Sequence, residues 1–204
     1  MGHVETVVLR EPWDVDPRLI QLGLSRSGLR RVVRVALSEA ANATPHHCAN
    51  ASGTFAYQHG TWGLRNEFVS AGWVVERPNG VEAIWHPELK IRVIFCNVDV
   101  ACDRNAKPKP RSGKGAGAER TCIGNLFGDL PTYAPRPAEG AATYYLMVDE
   151  KGASELSRPV VSGGTFVAYI EQIYLGNGDS DDEGLDLLGR DDAVDNFDPQ
   201  VVRK

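Results

Sequence analysis

Apolar positions change period twice along the chain. Between Leu29 and Ala40 they recur at intervals of three and four, as Leu29, Val32, Val33, Ala36, Leu37 and Ala40, while Arg30, Arg31 and Arg34 fall mostly elsewhere on the wheel. This is the pattern of an amphipathic helix, with Ser25 or Ser27 as its N-cap. Ahead of it, Asp14 and Asp16-Pro17 supply helix-start chemistry for a short helix through Leu19, Ile20 and Leu22 that stops near Gly23. Residues 42 to 53 read as a loop by composition. A further helix from Thr54 to Ala71 sets Phe55, Trp62, Phe68 and Val69 on an inner surface and ends at Gly72.

From Trp73 the period becomes two. WVVE, Pro78-Asn79-Gly80 and VEAIWH predict a hairpin, because Asn-Gly supplies the positive φ of a tight turn. A third strand from Leu89 to Val98 points Leu89, Ile91, Val93 and Phe95 inward and Lys90, Arg92 and Ile94 outward, completing an antiparallel meander. Residues 101–120, rich in proline and glycine and without a period, predict a long loop that enters a short helix near Ala118 to Leu126. TYYLMVD and SELSRPVV flank Glu150-Lys151-Gly152 as a second hairpin. Phe166, Ile170, Ile173 and Tyr174 then stand at helical spacing, so Thr165 to Leu175 predicts a closing helix, with a strand through FVAYI as the alternative.

The expected fold class is therefore α+β, with N-terminal helices packed on an antiparallel sheet of a three-strand meander plus a second hairpin, a C-terminal helix and a disordered acidic tail. One domain over residues 1–175 is expected, with the tail over 176–204. No run reaches the roughly 18 apolar residues of a membrane span, and MGHVETVVLREPW lacks the basic-then-apolar layout of a secretion signal. The expectation is a soluble, cytoplasmic chain. Cys48, Cys96, Cys102 and Cys122 are spaced for neither a disulfide framework nor zinc knuckles, so free thiols are expected.

Charge changes the picture more than composition does. The net charge is -5, but from Gly176 onward nine acids face three bases, so the tail carries -6 and the body about +1. Within the body, Arg104, Lys107, Lys109, Arg111, Lys114 and Arg120 face only Asp103 and Glu119, which makes residues 101–120 +4. The RSGKGAG core is no Walker A loop, since Pro108 stands where that motif needs glycine and Gly115 where it needs Ser or Thr. What remains is a basic Gly/Pro-rich segment whose six cations can meet phosphates without a rigid pocket. The leading expectation is a small non-enzymatic binding or regulatory protein that engages an anionic partner, nucleic acid first, and calls for no cofactor.

Two other readings stand beside it. The order helix, meander, connection, short helix and strand resembles the core of PD-(D/E)XK nucleases, which implies carboxylates on a divalent metal and a lysine assisting water. Glu88-Leu89-Lys90 has the ExK spacing, with Glu82 and Glu67 as further ligands, and Mg²⁺ would be the cofactor in that case only. Alternatively the acidic tail, with LDLL as a short anchor, makes the chain a protein-interaction module or an inhibitor of a nucleic-acid enzyme. His46-His47-Cys48 with His59 lacks a matching second ligand pair, so a loop without metal is expected. Cys48 or Cys96 with His86 would be the pair for thiol hydrolysis, but Cys96 sits in an apolar run and reads as core. Tyr57, Trp62, Trp73, Trp85, Tyr144 and Tyr145 read as packing residues before they read as base-stacking ones.

Overall fold

The computed structural model describes residues 6–122 and 141–178. In chain order the elements are β1 (Val7–Leu9), α1 (Pro12–Gln21), α2 (Arg26–Ala40), α3 (Ala51–Phe68), β2 (Val74–Glu76), β3 (Ala83–His86), β4 (Ile91–Asn97), α4 (Ala116–Cys122), β5 (Ala142–Val148), β6 (Ala153–Ser162) and β7 (Thr165–Asn177). Among the described residues all seven strands belong to one sheet, in the order β1-β7-β6-β5-β4-β3-β2.

This corrects the expected antiparallel sheet with a C-terminal helix. The sheet is mixed: β4 and β5 run parallel from Ile91↔Ala142 to Asn97↔Val148, and β1 runs parallel to β7. A parallel pair cannot be closed by a tight turn, so the long connection after β4 serves as the crossover. The segment expected as a closing helix is β7, thirteen residues that pair with β6 from Thr165 to Asn177 with three interruptions. The misleading helical spacing has a physical origin. The β6–β7 ladder slips at Ser154/Glu155, Arg158/Pro159 and Val160/Val161, and each slip leaves an extra residue on β7. Each bulge resets the alternation, so steps of two become steps of three and imitate a helix. Gly176 and Asn177, expected in the tail, pair with Ser154 and Ala153. Residues 123–126 of the expected short helix, and the tail from 179 to 204, lie outside the described residues.

The helices follow from capping and apolar stripes. Ser25 caps α2 by accepting from the Gly28 N–H at 3.1 Å. α1 begins at Pro12 rather than at Asp16-Pro17, which lies inside it, and α3 begins three residues before the expected Thr54. Val15, Leu19, Leu29, Val32, Ala36, Leu64 and Phe68 from these helices share one buried cluster with Ile91, Val93, Phe95, Tyr144, Leu146, Leu156 and Ile173 from the sheet. α3 comes so close to β4 that a Cβ on Gly60 would overlap the Phe95 ring.

The opposite face of the central strands is covered too, which corrects the outward assignment of Arg92 and Ile94. Ile94, Cys96, Tyr145 and Met147 form a second cluster with Ala101, Cys122, Phe166 and Tyr169. Arg92 is 5% exposed, holds Glu76 through two hydrogen bonds at 2.6 and 2.8 Å, and stacks over Trp85 at 5.1 Å. The two expected hairpins are present, with Asn79 and Gly80 at φ of 52° and 80° in the first turn and Gly152 at 90° in the second. Among the described residues no helix is long and apolar enough to cross a membrane.

Candidate functional site

The parallel strands β4 and β5 stop together at Asn97 and Val148. Ligands collect at the carboxyl ends of parallel strands because the flanking connections diverge there. In this chain the basic loop leaves from that edge and comes back to it. Val98 bridges Pro110, the Asp99 N–H donates to the Lys109 carbonyl at 3.0 Å, and the Arg111 N–H donates to the Asn97 carbonyl at 3.1 Å. The Asp99 carboxylate accepts from the Lys109 N–H at 2.7 Å, and that of Asp103 accepts from the Asn105 and Ala106 N–H groups at 2.6 and 3.1 Å. Tyr169 and Tyr174 rise from β7 and donate their hydroxyls to the carbonyls of Pro108 and Asp103 at 2.5 and 2.9 Å. A segment without sequence period is thus fastened by backbone groups at both ends and by two tyrosines from below.

That fastening sorts the six expected phosphate contacts. Arg104, Lys107, Lys109 and Arg111 are exposed on the loop, and Arg120 is exposed on α4. Among the described residues no carboxylate pairs with the side chains of Arg104, Lys107 or Lys109, whereas Arg111 forms an ion pair with Glu150. Lys114 turns inward. Its backbone N–H donates to the Gly164 carbonyl at 2.7 Å, its ammonium donates to Cys96 Sγ at 3.0 Å, and it lies 5.6 and 5.7 Å from the Tyr145 and Phe166 ring centres. Sequence reasoning counted Lys114 with the solvent cations because a side chain's direction is invisible in a loop without period.

Beside the loop, a cavity of about 350 Å³ opens between α2, α3 and the ends of β4 and β5. Its apolar wall is Ala36, Leu37, Ala40 and Ala56, with Val148 at the strand end. Asn97 closes it by donating from Nδ2 to the Gly53 carbonyl at 2.7 Å, which ties the first turn of α3 to β4. Ser52 and Gly53 line the same cavity, and no hydrogen bond takes their N–H groups among the described residues. Arg111, Glu150 and Lys151 form the rim. Asp149 is also there, but its carboxylate accepts from the N–H groups of Lys151, Ala153 and Ala101 at 2.9, 3.0 and 3.3 Å and so shapes the β5–β6 turn. Asn97, Lys151 and the start of α3 carried no motif in the sequence.

The carboxylates of the nuclease reading are not brought together. Glu67 accepts two hydrogen bonds from Arg31, which hold its pKa below the ordinary carboxylate range. Glu82 pairs with Arg65 and Arg77. Glu88 and Lys90 occupy the exposed turn between β3 and β4 rather than a strand, with Lys90 at a φ of 55°. Among the described residues no three His, Cys, Asp or Glu side chains are placed to hold a metal ion. His47 Nδ1 accepts from the Thr44 N–H at 2.9 Å and His59 faces Glu39 at 3.8 Å, so the histidine cluster also disperses. His86 lies edge-on to Trp73 at 5.3 Å, away from the Lys114 contact of Cys96. Burial pushes the Cys102 and Cys122 thiols up to about 12 and about 11 and pushes that of Cys96 up as well, so these sulfurs stay protonated near neutrality.

Two buried acids escaped sequence reasoning altogether. Glu171 accepts two bonds from Arg18 at 2.7 and 3.1 Å and one from the Tyr144 hydroxyl at 2.6 Å. Glu155 is fully buried and accepts from Ser157, Gln172 and the Cys102 N–H at 2.6, 2.9 and 2.8 Å. Both complete structural networks away from the cavity rim. No family model, curated protein or solved structure matches the chain.

Proposed function

We propose that the chain is a non-enzymatic binding or regulatory protein for a polyanion, nucleic acid first, and that Arg104, Lys107, Lys109 and Arg111 make the contacts. One observation carries the reading: these exposed cations project from a backbone pinned to the sheet, and among the described residues three of them have no carboxylate partner. A pinned loop loses less chain entropy on binding than a free one, so the Coulomb attraction of its cations is retained as affinity. Side chains of this length reach phosphates but fix no base edges, so binding is expected to be strong at low salt and indifferent to sequence. An intracellular setting, where nucleic acid and free thiols coexist, belongs to the same proposal.

The test is fluorescence anisotropy of labelled single- and double-stranded oligonucleotides against the full chain across a salt series. Each phosphate contact removed should flatten the log–log slope by about 0.7 to 0.9. Replacing Arg104, Lys107, Lys109 and Arg111 together by Ser should weaken binding by at least about tenfold at low salt, while circular dichroism stays unchanged. No retention of either strand form by the wild type at low salt would remove the proposal. The nuclease reading gains no support from the geometry, since Glu67 and Glu82 are each held by arginines and Glu88 stands apart in a turn.

A further inference from the structure

The described chain ends at Gly178, and the place where it ends is informative. A Cβ added to Gly178 would stand 2.6 Å from the Ala153 N, and one added to Gly152 would meet Gly178 Cα at 3.4 Å and Leu37 Cδ1 at 3.1 Å. Leu37 and Lys151 are themselves on the edge of the cavity between α2 and α3. The chain therefore continues from the rim of an open, largely apolar cavity. The next ten residues, Asp179 to Leu188, read DSDDEGLDLL: five acids without a base, and three leucines at 185, 187 and 188.

We propose that this cavity is the seat of the chain's own segment Asp179–Leu188, with the acids against Arg111, Lys151 and the first turn of α3, and the leucines against the alanine wall. Three independent features agree on that occupant. The first is reach: Gly178 packs against Lys151, which lines the cavity, and at about 3.3 Å per residue the segment that follows spans about 33 Å extended. The second is charge. Glu150 on the rim is already held by Arg111, and beyond that pair Lys151 on the rim and the Arg30 guanidinium, 2.8 Å from where a Cβ on Gly176 would be, set positive charge near the point where the chain continues. The Ser52 and Gly53 N–H groups, which no acceptor takes among the described residues, stand at the positive end of an 18-residue helix and add to the same potential. The third is size: Ala36, Ala40 and Ala56 leave an apolar wall with room for leucine side chains, whose burial there would take apolar surface out of water. Seated in this way, the acids compete with Glu150 for Arg111 and keep that cation out of the loop's outward set, which makes the tail an internal competitor for polyanions. The seating itself is independent of nucleic-acid binding.

Hydrogen exchange measured by mass spectrometry on the full chain tests the seating without any nucleic acid. Amides of residues 179–188 and of the first turn of α3 should exchange about tenfold or more slowly than in a full-length variant carrying Leu185→Ser, Leu187→Ser and Leu188→Ser. Ala40→Trp, which fills the cavity, should release the tail to the same extent. Lys151→Glu on the exposed turn should do so partially, and it serves if the tryptophan variant fails to fold. A synthetic peptide of residues 179–188 should bind the triple-serine chain and not the wild type, whose seat is already taken. Tail amides that exchange at the open-chain rate in the wild type would overturn the seating. So would protection that survives both Ala40→Trp and Lys151→Glu, or protection that rises with protein concentration, which would put the segment in a second copy. Failure here together with intact oligonucleotide binding removes the seat alone, and the reverse outcome removes the polyanion reading alone.

Discussion

The ammonium of Lys114 gives up part of its hydration for the Cys96 sulfur and the faces of two aromatic rings, so it pins the loop instead of charging its surface. Lys114→Met should therefore leave oligonucleotide affinity within about twofold while lowering the melting temperature by about 3 °C, the reverse of the surface-cation variants. The two buried acids pull the pH dependence of stability in opposite directions. Burial raises the Glu155 carboxyl against the bonds from Ser157, Gln172 and Cys102, so its contribution is complete below the ordinary carboxylate range and is lost as pH climbs through its raised value. For Glu171 burial is outweighed by Arg18 and Tyr144, its pKa is lowered, and its contribution is complete above the ordinary range and lost as pH falls through the lowered value. A melting series in Glu155→Gln should show a flatter decline on the alkaline side than wild type; an unchanged slope would mean Glu155 is not the titrating group. Arg18→Met should cost about 2 kcal/mol near neutrality, less than for a fully enclosed pair because Arg18 remains a third exposed. That loss should shrink in acid, where Glu171 no longer needs its partner.

At the level of elements, β1 has only three residues, yet it covers the edge of the longest strand, with Val7, Val8 and Leu9 paired to Glu171, Gln172 and Ile173. An uncovered strand of that length offers a row of free backbone groups to other chains. Val8→Pro should accordingly lower the melting temperature and produce concentration-dependent association by light scattering, whereas a monomer with unchanged melting would show that the edge needs no cover. Neither β1 nor its pairing was legible: VVL is too short to display a period, and its partner lies at the far end of the chain. What was legible depended on local chemistry, namely Pro-Asn-Gly and Glu-Lys-Gly at the hairpin turns, Ser25 as a cap, and the alternation of Ile91, Val93 and Phe95. Strand β7 was misread because its three bulges mix steps of two and three, and Arg92 because a sheet covered on both faces no longer alternates apolar with polar. The candidate site was half legible for the same reason. Arg104 to Arg111 announced themselves by charge, whereas Asn97, Lys151 and the start of α3 acquire meaning only once β4 and β5 run side by side.

Taken whole, the molecule sets a row of exposed cations beside a cavity whose rim adjoins Gly178, and on the proposed polyanion reading its response should be non-additive. Replacing Asp179, Asp181 and Asp182 by Asn should strengthen oligonucleotide binding in the wild-type background and do much less where Arg104, Lys107, Lys109 and Arg111 are already Ser. Equal effects in both backgrounds would mean that tail and loop act independently. The parallel pairing of β1 with β7 also has a consequence in time. On a ribosome the chain appears from its N-terminus, so α1 to α3 and the meander of β2, β3 and β4 can settle against one another early. Val7–Leu9, made before any of them, has nothing to pair with until Glu171–Ile173 has cleared the exit tunnel. Of the described strands, β1 is thus made before the others and paired only after β7, and throughout that interval it depends on its brevity, rather than on the fold, to stay out of other chains' sheets.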